Sequence, residues 1–482
     1  MEGLKNQELA GLDEALTDQE PGWILVQGPI GSGKSTVLAQ RVREGGGVLY
    51  HAAPGADGDL LADFRELLLA RLGEIPVPEG PGYLPDPSAP PGWQDLLLGL
   101  VDRARFHGRP LLVVLDGWDK LQAARKQLPR ELAEALDRAE RRKAPIRFVL
   151  TLDGADPSSL TGLPDPAHTL TLGPLSLRAA ARRQGGRSPG DAFHRWALLG
   201  AYPVQFPLSD PGATWEGAVI RRVLEPTGDL HDLPLRQLRE GFQRPGRYLS
   251  ILRALARGPL DWSQLREGAR AVESGGQMAP YLNRLEEMGL VVTRRPLGAP
   301  SDARNRRYRL ADPFLGFWFE LVLPLRSLLL TEDPAELWAN RIRPGIRDHL
   351  RRWLPVAVEE WFRDHAQERF PAASRQVGGV WAGEAEFQVV SWLTNGQICY
   401  VGTRWEVEPS GAEFYDDLKE RMLRTRYGIG REARTPVLVL PGGMTEELRR
   451  RVAADPLATV LGLEELMGSS SQGPEPGSRF VS

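Results

Sequence analysis

Residues 28–35, Gly28-Pro-Ile-Gly-Ser-Gly-Lys-Ser35, fit G-x-x-x-x-G-K-[ST], a spacing suited to holding phosphate. Gly31 and Gly33 let the backbone bend so that several N–H groups converge on one anion. A helix opening near Gly33 turns the positive end of its dipole to the same point. Lys34 has the reach for the β- and γ-phosphates of a nucleoside triphosphate, and the Ser35 hydroxyl is a hard oxygen ligand for Mg²⁺. Gly28, Pro29, Ile30, Gly31, Ser32, Gly33, Lys34, Ser35 and Thr36 therefore form the expected cradle, with ATP and Mg²⁺ as its ligands.

A second cluster lies in Pro110-Leu-Leu-Val-Val-Leu-Asp-Gly-Trp-Asp119. Five apolar residues ending in an acid describe a buried parallel strand whose carboxylate emerges at the ligand-binding edge of the sheet. Asp116 is the expected metal-side acid, paired with Ser35. Gly117 has no side chain with which to orient a water. Asp119 either polarises that water or is an ordinary acid at a helix N-terminus. Thr151 closes the run Ile146-Arg-Phe-Val-Leu-Thr151, where a hydroxyl is placed to sense a γ-phosphate. Lys34, Asp116, Asp119 and Thr151 make up the expected catalytic set.

These side chains need elements to hold them. Trp23–Gln27 reads as a buried strand, and Thr36–Arg43 has helical spacing. Further strands are expected at 47–53 and 168–172, and helices at 60–72, 93–106 and 128–143. Strands alternating with helices give an α/β fold with a doubly wound parallel sheet over 1–173. Residues 4–20 read as a helix packed ahead of the first strand, and the proline- and glycine-rich 74–92 as an extended surface loop. A helical lid is expected over 174–240. Within it, Trp196-Ala-Leu-Leu-Gly-Ala-Tyr-Pro203 puts Pro203 either against an adenine ring or at an ordinary helix stop.

Residues 241–312 read as three helices and a hairpin, a winged helix. They carry 13 arginines against 7 acidic residues, a net +6 in a chain of net −3. The basic wing (Arg294, Arg304, Arg306, Arg307) either contacts duplex DNA or docks on another domain. Residues 313–370 read as a helical connector opening with a core-filling aromatic helix. The run 386–401, broken by Asn395-Gly, is a hairpin that opens a small α/β domain over 371–467. Residues 468–482 read as a disordered tail.

At 482 residues the chain is too long for one core. Its 41% hydrophobic and 26% charged residues suit a soluble protein with no global pull toward nucleic acid or membrane. A single cysteine, Cys399, excludes an internal disulfide framework and reads as a small buried residue. No apolar run is long enough to span a bilayer and no signal segment opens the chain, so a cytoplasmic location is expected.

The order of these parts resembles the prokaryotic archaeal ATPase family, within the STAND branch of AAA-like P-loop NTPases. The matching marks are Gly28–Ser35, the 111–119 strand, Gly173-Pro-Leu-Ser176, Gly200-Ala-Tyr-Pro203 and Tyr308-Arg-Leu-Ala-Asp-Pro-Phe-Leu-Gly-Phe-Trp-Phe319. Asp116-Gly-Trp-Asp119 is also similar to the strand end of the NACHT group. The resemblance implies a nucleotide-driven switch more than a fast motor; slow turnover follows from Gly117, and duplex DNA, a protein partner or a second copy of the chain are its expected partners. Alternatives are a DNA-binding regulator that holds nucleotide without turnover, and an ATP-dependent nuclease. Such proteins commonly end in a restriction-endonuclease-like domain with an acid on one strand and E-x-K on the next. Here Gln388 and Thr403-Arg-Trp405 stand at those positions, with Glu384, Glu386 and Glu406 nearby, so a degenerate, inactive domain is expected.

Overall fold

A computed structural model describes residues 13–16, 22–78, 90–153, 157–207, 213–242, 244–269, 275–300, 303–381, 385–425, 427 and 433–468. Residues 13–16 are helical; the rest of the expected 4–20 helix, most of the 74–92 loop and the 469–482 tail lie outside the described residues.

Strands β1 (Gly22–Gln27), β2 (Val48–His51), β3 (Leu111–Asp116), β4 (Ile146–Leu152) and β5 (His168–Thr171) form one parallel sheet in the order β2-β3-β4-β1-β5. Both faces are covered, which is why β1 and β3 read as near-continuous apolar runs rather than alternating ones. Ile24 and Val26 point to the face packed by Val37, Leu38 and Val42 of the helix Lys34–Gly45, and by the lid helices Leu177–Gln184 and Pro189–Leu199. Trp23 and Leu25 point to the other, packed by the helices Asp57–Leu72, Trp93–His107 and Leu128–Arg142. The chain leaves β1 toward β2 and leaves β4 toward β5, in opposite directions. The carboxyl ends of β1 and β4 thus flank the reversal of strand order, where an open α/β sheet binds its ligand.

Three helices, Pro245–Leu255, Trp262–Gly268 and Gly275–Glu287, pack on a small antiparallel sheet. Its strands are β6 (Leu260–Asp261), β7 (Val291–Arg294) and β8 (Arg307–Leu310), in the order β6-β8-β7. The chain leaves β8 into the aromatic helix Pro313–Phe317, which continues in wider turns to Val322. Phe314, Phe317, Trp318 and Phe319 are all buried, and Trp318 Nε1 donates to the His231 carbonyl at 2.8 Å, so this helix fills core.

After the long helix Arg343–His365 come β9 (Ser374–Val380), β10 (Phe387–Leu393), β11 (Ile398–Thr403), β12 (Arg434–Val439) and β13 (Thr459–Leu461). They form a mixed sheet in the order β13-β12-β11-β10-β9, with antiparallel pairing from β9 to β11 and parallel pairing from β11 to β13. Asn395-Gly396 turns β10 into β11, and Cys399 is fully buried on β11. One apolar core runs from the inner face of β1 through the lid and the aromatic helix to Val389, Val401 and Val437 of this last sheet. Among the described residues no helix is long and apolar enough to cross a membrane.

Phe317 is fully buried where these units meet. Phe317→Ala is expected to lower stability by about 3–5 kcal/mol, read as a shift of the urea unfolding midpoint.

Candidate functional site

β1 ends at Gln27, and the chain turns through residues 28–33 into the helix that starts at Lys34. Ser32 N donates to the Pro29 carbonyl at 3.1 Å, and Val37 N to the Gly33 carbonyl at 3.0 Å. Gly31 and Gly33 have φ of +85° and +93°, which side-chain-bearing residues rarely adopt. The Lys34 side chain is 3% exposed and folds over this loop. Its ammonium donates to the Gly28 and Pro29 carbonyls at 2.9 and 3.1 Å and pairs with Asp153 Oδ1 at 2.7 Å.

Beside the loop, Asp116 ends β3 and is buried. Thr151 Oγ1 donates to its Oδ1 at 2.6 Å, His51 Nδ1 lies 2.5 Å from its Oδ2, and the Ser35 hydroxyl bonds it as well. Burial pushes this carboxyl up, but the hydrogen bonds from Ser35, Thr151 and His51 outweigh burial and hold it below the usual carboxylate range. A hydroxyl and an ionised carboxylate already in contact are the hard oxygen donors that Mg²⁺ takes, so this pair fits that ion. Thr36 is exposed on the first turn of its helix.

Thr151 differs from expectation. It is fully buried, its hydroxyl donates to Asp116, and it accepts from Gly117 N at 2.8 Å. Both hydrogen-bonding roles are used within the protein, so Thr151 orients the Asp116 carboxylate rather than a γ-phosphate. Asp119 lies in the first turn of the short helix Trp118–Ala124, and its Oδ1 is buried with no hydrogen-bond partner. Burial first, and then the nearby Asp153 carboxylate, push its pKa up. A carboxyl with free lone pairs and a raised pKa can accept a proton or orient a water.

The lid closes over the loop. A 3-10 turn, Pro203–Gln205, lies directly on it: Val204 N donates to the Gly31 carbonyl at 3.2 Å, and a Cβ at Gly33 would stand 3.1 Å from Pro203 Cγ. Pro203 therefore borders the glycine loop. From the helix Leu233–Gly241, Gln237 Nε2 donates to the Ile30 carbonyl at 2.6 Å. Sequence reading missed His51, Asp153, Val204 and Gln237. His51 faces Asp116 in the β2–β3 register, and Asp153 follows the end of β4, so polar residues at strand ends were the available signal. Gln237 lies 207 residues from its partner and gave none.

The wing arginines do not form one surface. Arg307 pairs with Glu386 at 2.9 Å and stacks 5.0 Å from the Trp381 ring centroid. Arg294 pairs with Glu359 and donates to the Gln388 carbonyl at 3.1 Å. Leu297 N donates to the Gly379 carbonyl at 2.7 Å, so the wing lies against β9 and β10. Arg294 and Arg307 are thus engaged within the chain, while Arg304 is exposed and Arg306 half-buried. In the last sheet neither β10 nor β11 carries an acidic residue, Glu406 pairs with Arg351, and Glu384 lies outside the described residues. Among the described residues no group of three or more His, Cys, Asp or Glu could hold a metal ion.

The glycine loop after β1, the acid ending β3 and the strand order make residues 22–171 a P-loop NTPase core. No protein-family model matches the chain, and no curated protein matches it. Among solved structures it is similar to the Walker-type ATPase of Pyrococcus abyssi, with 19% identity, covering 65% of this chain and 94% of that one, at a TM-score of 0.47. It is also similar to the ORC2 protein of Aeropyrum pernix, with 17% identity over 68% of this chain and 93% of that one, TM-score 0.33. The ORC1 protein of the same organism, solved in complex with DNA, shows 16% identity over 69% and 94%, TM-score 0.25. At these identities and scores the likeness is one of general architecture.

At Gly31 a Cβ would collide with the Val204 side chain, and φ is positive. Gly31→Ala is expected to lower stability by about 1–3 kcal/mol, measured by denaturant titration.

Proposed function

We propose that this chain binds ATP with Mg²⁺ at the carboxyl edge of β1, β3 and β4 and hydrolyses it slowly, acting as a nucleotide-dependent switch. One observation carries the reading: a buried lysine in a glycine loop, the Ser35–Asp116 pair and the unpartnered Asp119 oxygen converge on one place. The resemblance to STAND-type archaeal ATPases supports the switch. The lid turn on Gly31 and Gly33 supports nucleotide held between core and lid, with Pro203 beside it.

In this reading Lys34 exchanges Asp153 for phosphate oxygens. Ser35 and Asp116 hold Mg²⁺, which supplies charge neutralisation on the β- and γ-phosphate oxygens. Thr151 and His51 fix the Asp116 carboxylate. Asp119 orients the water that adds to the γ-phosphorus as the bond to the bridging oxygen breaks, giving ADP and phosphate. Gly117 offers no help, and Asp119 acts from one helical turn on. Turnover is therefore expected below the ~1–100 s⁻¹ of efficient phosphoryl-transfer enzymes. The bare β10 and β11 support a last domain without nuclease activity. The chain is read as cytoplasmic, with a protein partner or a second copy as its other candidate partner.

Lys34→Ala should abolish ATP binding in a folded chain, measured by calorimetry; unchanged affinity would remove the proposal. Asp119→Asn should keep ATP binding and lose turnover by roughly 10²–10⁴-fold. Wild-type phosphate release from that variant would pass the role to another residue.

Duplex DNA is a second proposed ligand, carried by the exposed Arg304 and the half-buried Arg306 of the winged helix. Replacing both with Ala should flatten the salt dependence of a gel shift by about two units of slope. If the wild type shifts no duplex at low salt, the wing serves only as a docking surface.

A further inference from the structure

The nucleotide site leaves unused the Asp312-Pro-Phe314 motif at the exit of β8. Asp312 is fully buried, 0% exposed. Gln205 Nε2 donates to its Oδ2 at 2.6 Å, Ala201 N to its Oδ1 at 3.3 Å, and Phe314 N bonds it as well. Gln205 is fixed in turn: its side-chain oxygen accepts from Tyr202 N at 2.7 Å, and its carbonyl accepts from Arg222 Nη1 at 2.8 Å. Tyr202 donates its hydroxyl proton to the Gly289 carbonyl at 2.9 Å, just ahead of β7. The same turn, one residue away, bonds the Gly31 carbonyl through Val204 N and lays Pro203 on Gly33. One carboxylate thus joins the phosphate loop to the root of the three-helix unit.

We propose that Asp312 is a positioning residue for nucleotide: through Gln205 and Ala201 it clamps the 201–205 turn onto the phosphate loop and ties that loop to the winged-helix unit. The nucleotide half of this inference rests on the ATP reading above. An ionised carboxylate has lone pairs for all three N–H donors. The groups facing Asp312 are the Gln205 amide and the Ala201 and Phe314 backbone N–H groups; the charged Arg222 joins only through the Gln205 carbonyl. Burial, opposed by those hydrogen bonds, pushes the carboxyl up to about 6. Burial thus makes the proton bind more tightly in the clamped state than in an opened one where the carboxyl meets water, so the clamp is favoured as pH drops through 6.

Asp312→Asn keeps the shape but turns an NH₂ toward donors. Hydrogen–deuterium exchange at pH 7.5, without nucleotide, should show the 201–206 amides exchanging about fivefold or more faster in the variant, with the β3 amides unchanged. Mg–ATP affinity, titrated from pH 8 to 5.5, should be about fivefold weaker in the variant at pH 7.5. Below pH 6 the wild type should lose affinity less steeply than the variant. The terminal phosphate of ATP titrates near pH 6, but it does so for both chains, so the difference between their profiles belongs to Asp312. Unchanged exchange in a folded variant overturns the clamp, and parallel pH profiles overturn its link to nucleotide. A wild type that binds no ATP at any pH sinks the ATP reading and the nucleotide half with it, while exchange still decides the clamp. Should Asp312→Asn fail to fold, Gln205→Ala removes the side chain between Asp312 and the turn and carries the same readouts.

Discussion

A side chain at position 31 would collide with Val204, and one at position 33 would press on Pro203. That close backbone approach fixes where the lid stands on the core, and the rest of the chain is built outward from it. The glycines serve two ends at once. Their positive φ lets the loop curl around an anion, and their missing side chains let the 203–205 turn lie directly on it.

The site separates two carboxylates by environment. Asp116 is buried but ringed by donors from three elements, which hold its carboxyl below the usual range. Asp119 is half-buried, with one buried oxygen that has no hydrogen-bond partner and the Asp153 carboxylate nearby, so its proton is held more tightly. Opposite shifts in neighbouring acids suit a division of labour between holding a metal and handling a water. Asp153 adds a third carboxylate, on Lys34, so the ammonium never lies uncompensated in a buried site.

The net +6 of residues 241–312 looks like a nucleic-acid footprint when the sequence is read as a line. Folded, the wing spends part of that charge on Glu386 and Glu359 and stacks on Trp381. The same arginines that could meet phosphates hold the last sheet in place. The aromatic helix after Asp312 works alongside them, since Phe314, Phe317, Trp318 and Phe319 are buried in the core shared by lid, three-helix unit and last sheet.

Much of this was legible in the sequence because it is local. The cradle 28–36, the acid ending an apolar run, the strand–helix alternation and the Asn395-Gly turn each depend on a few consecutive residues whose backbone preferences point one way. Composition and periodicity also determined that several units share the chain and that the aromatic run after Asp312 is core. Only the tertiary structure decided which partners those residues meet. Thr151 looked free at a strand end, but the β3–β4 pairing turns its hydroxyl onto Asp116. His51 and Asp153 became part of the site through sheet neighbours and a lysine rotamer, Gln237 through a lid fold 207 residues away, and Asp312 through a turn more than a hundred residues earlier. Hydrogen bonds and ion pairs act over about 3 Å in space and carry no trace of sequence separation, so no spacing along the chain could have announced them.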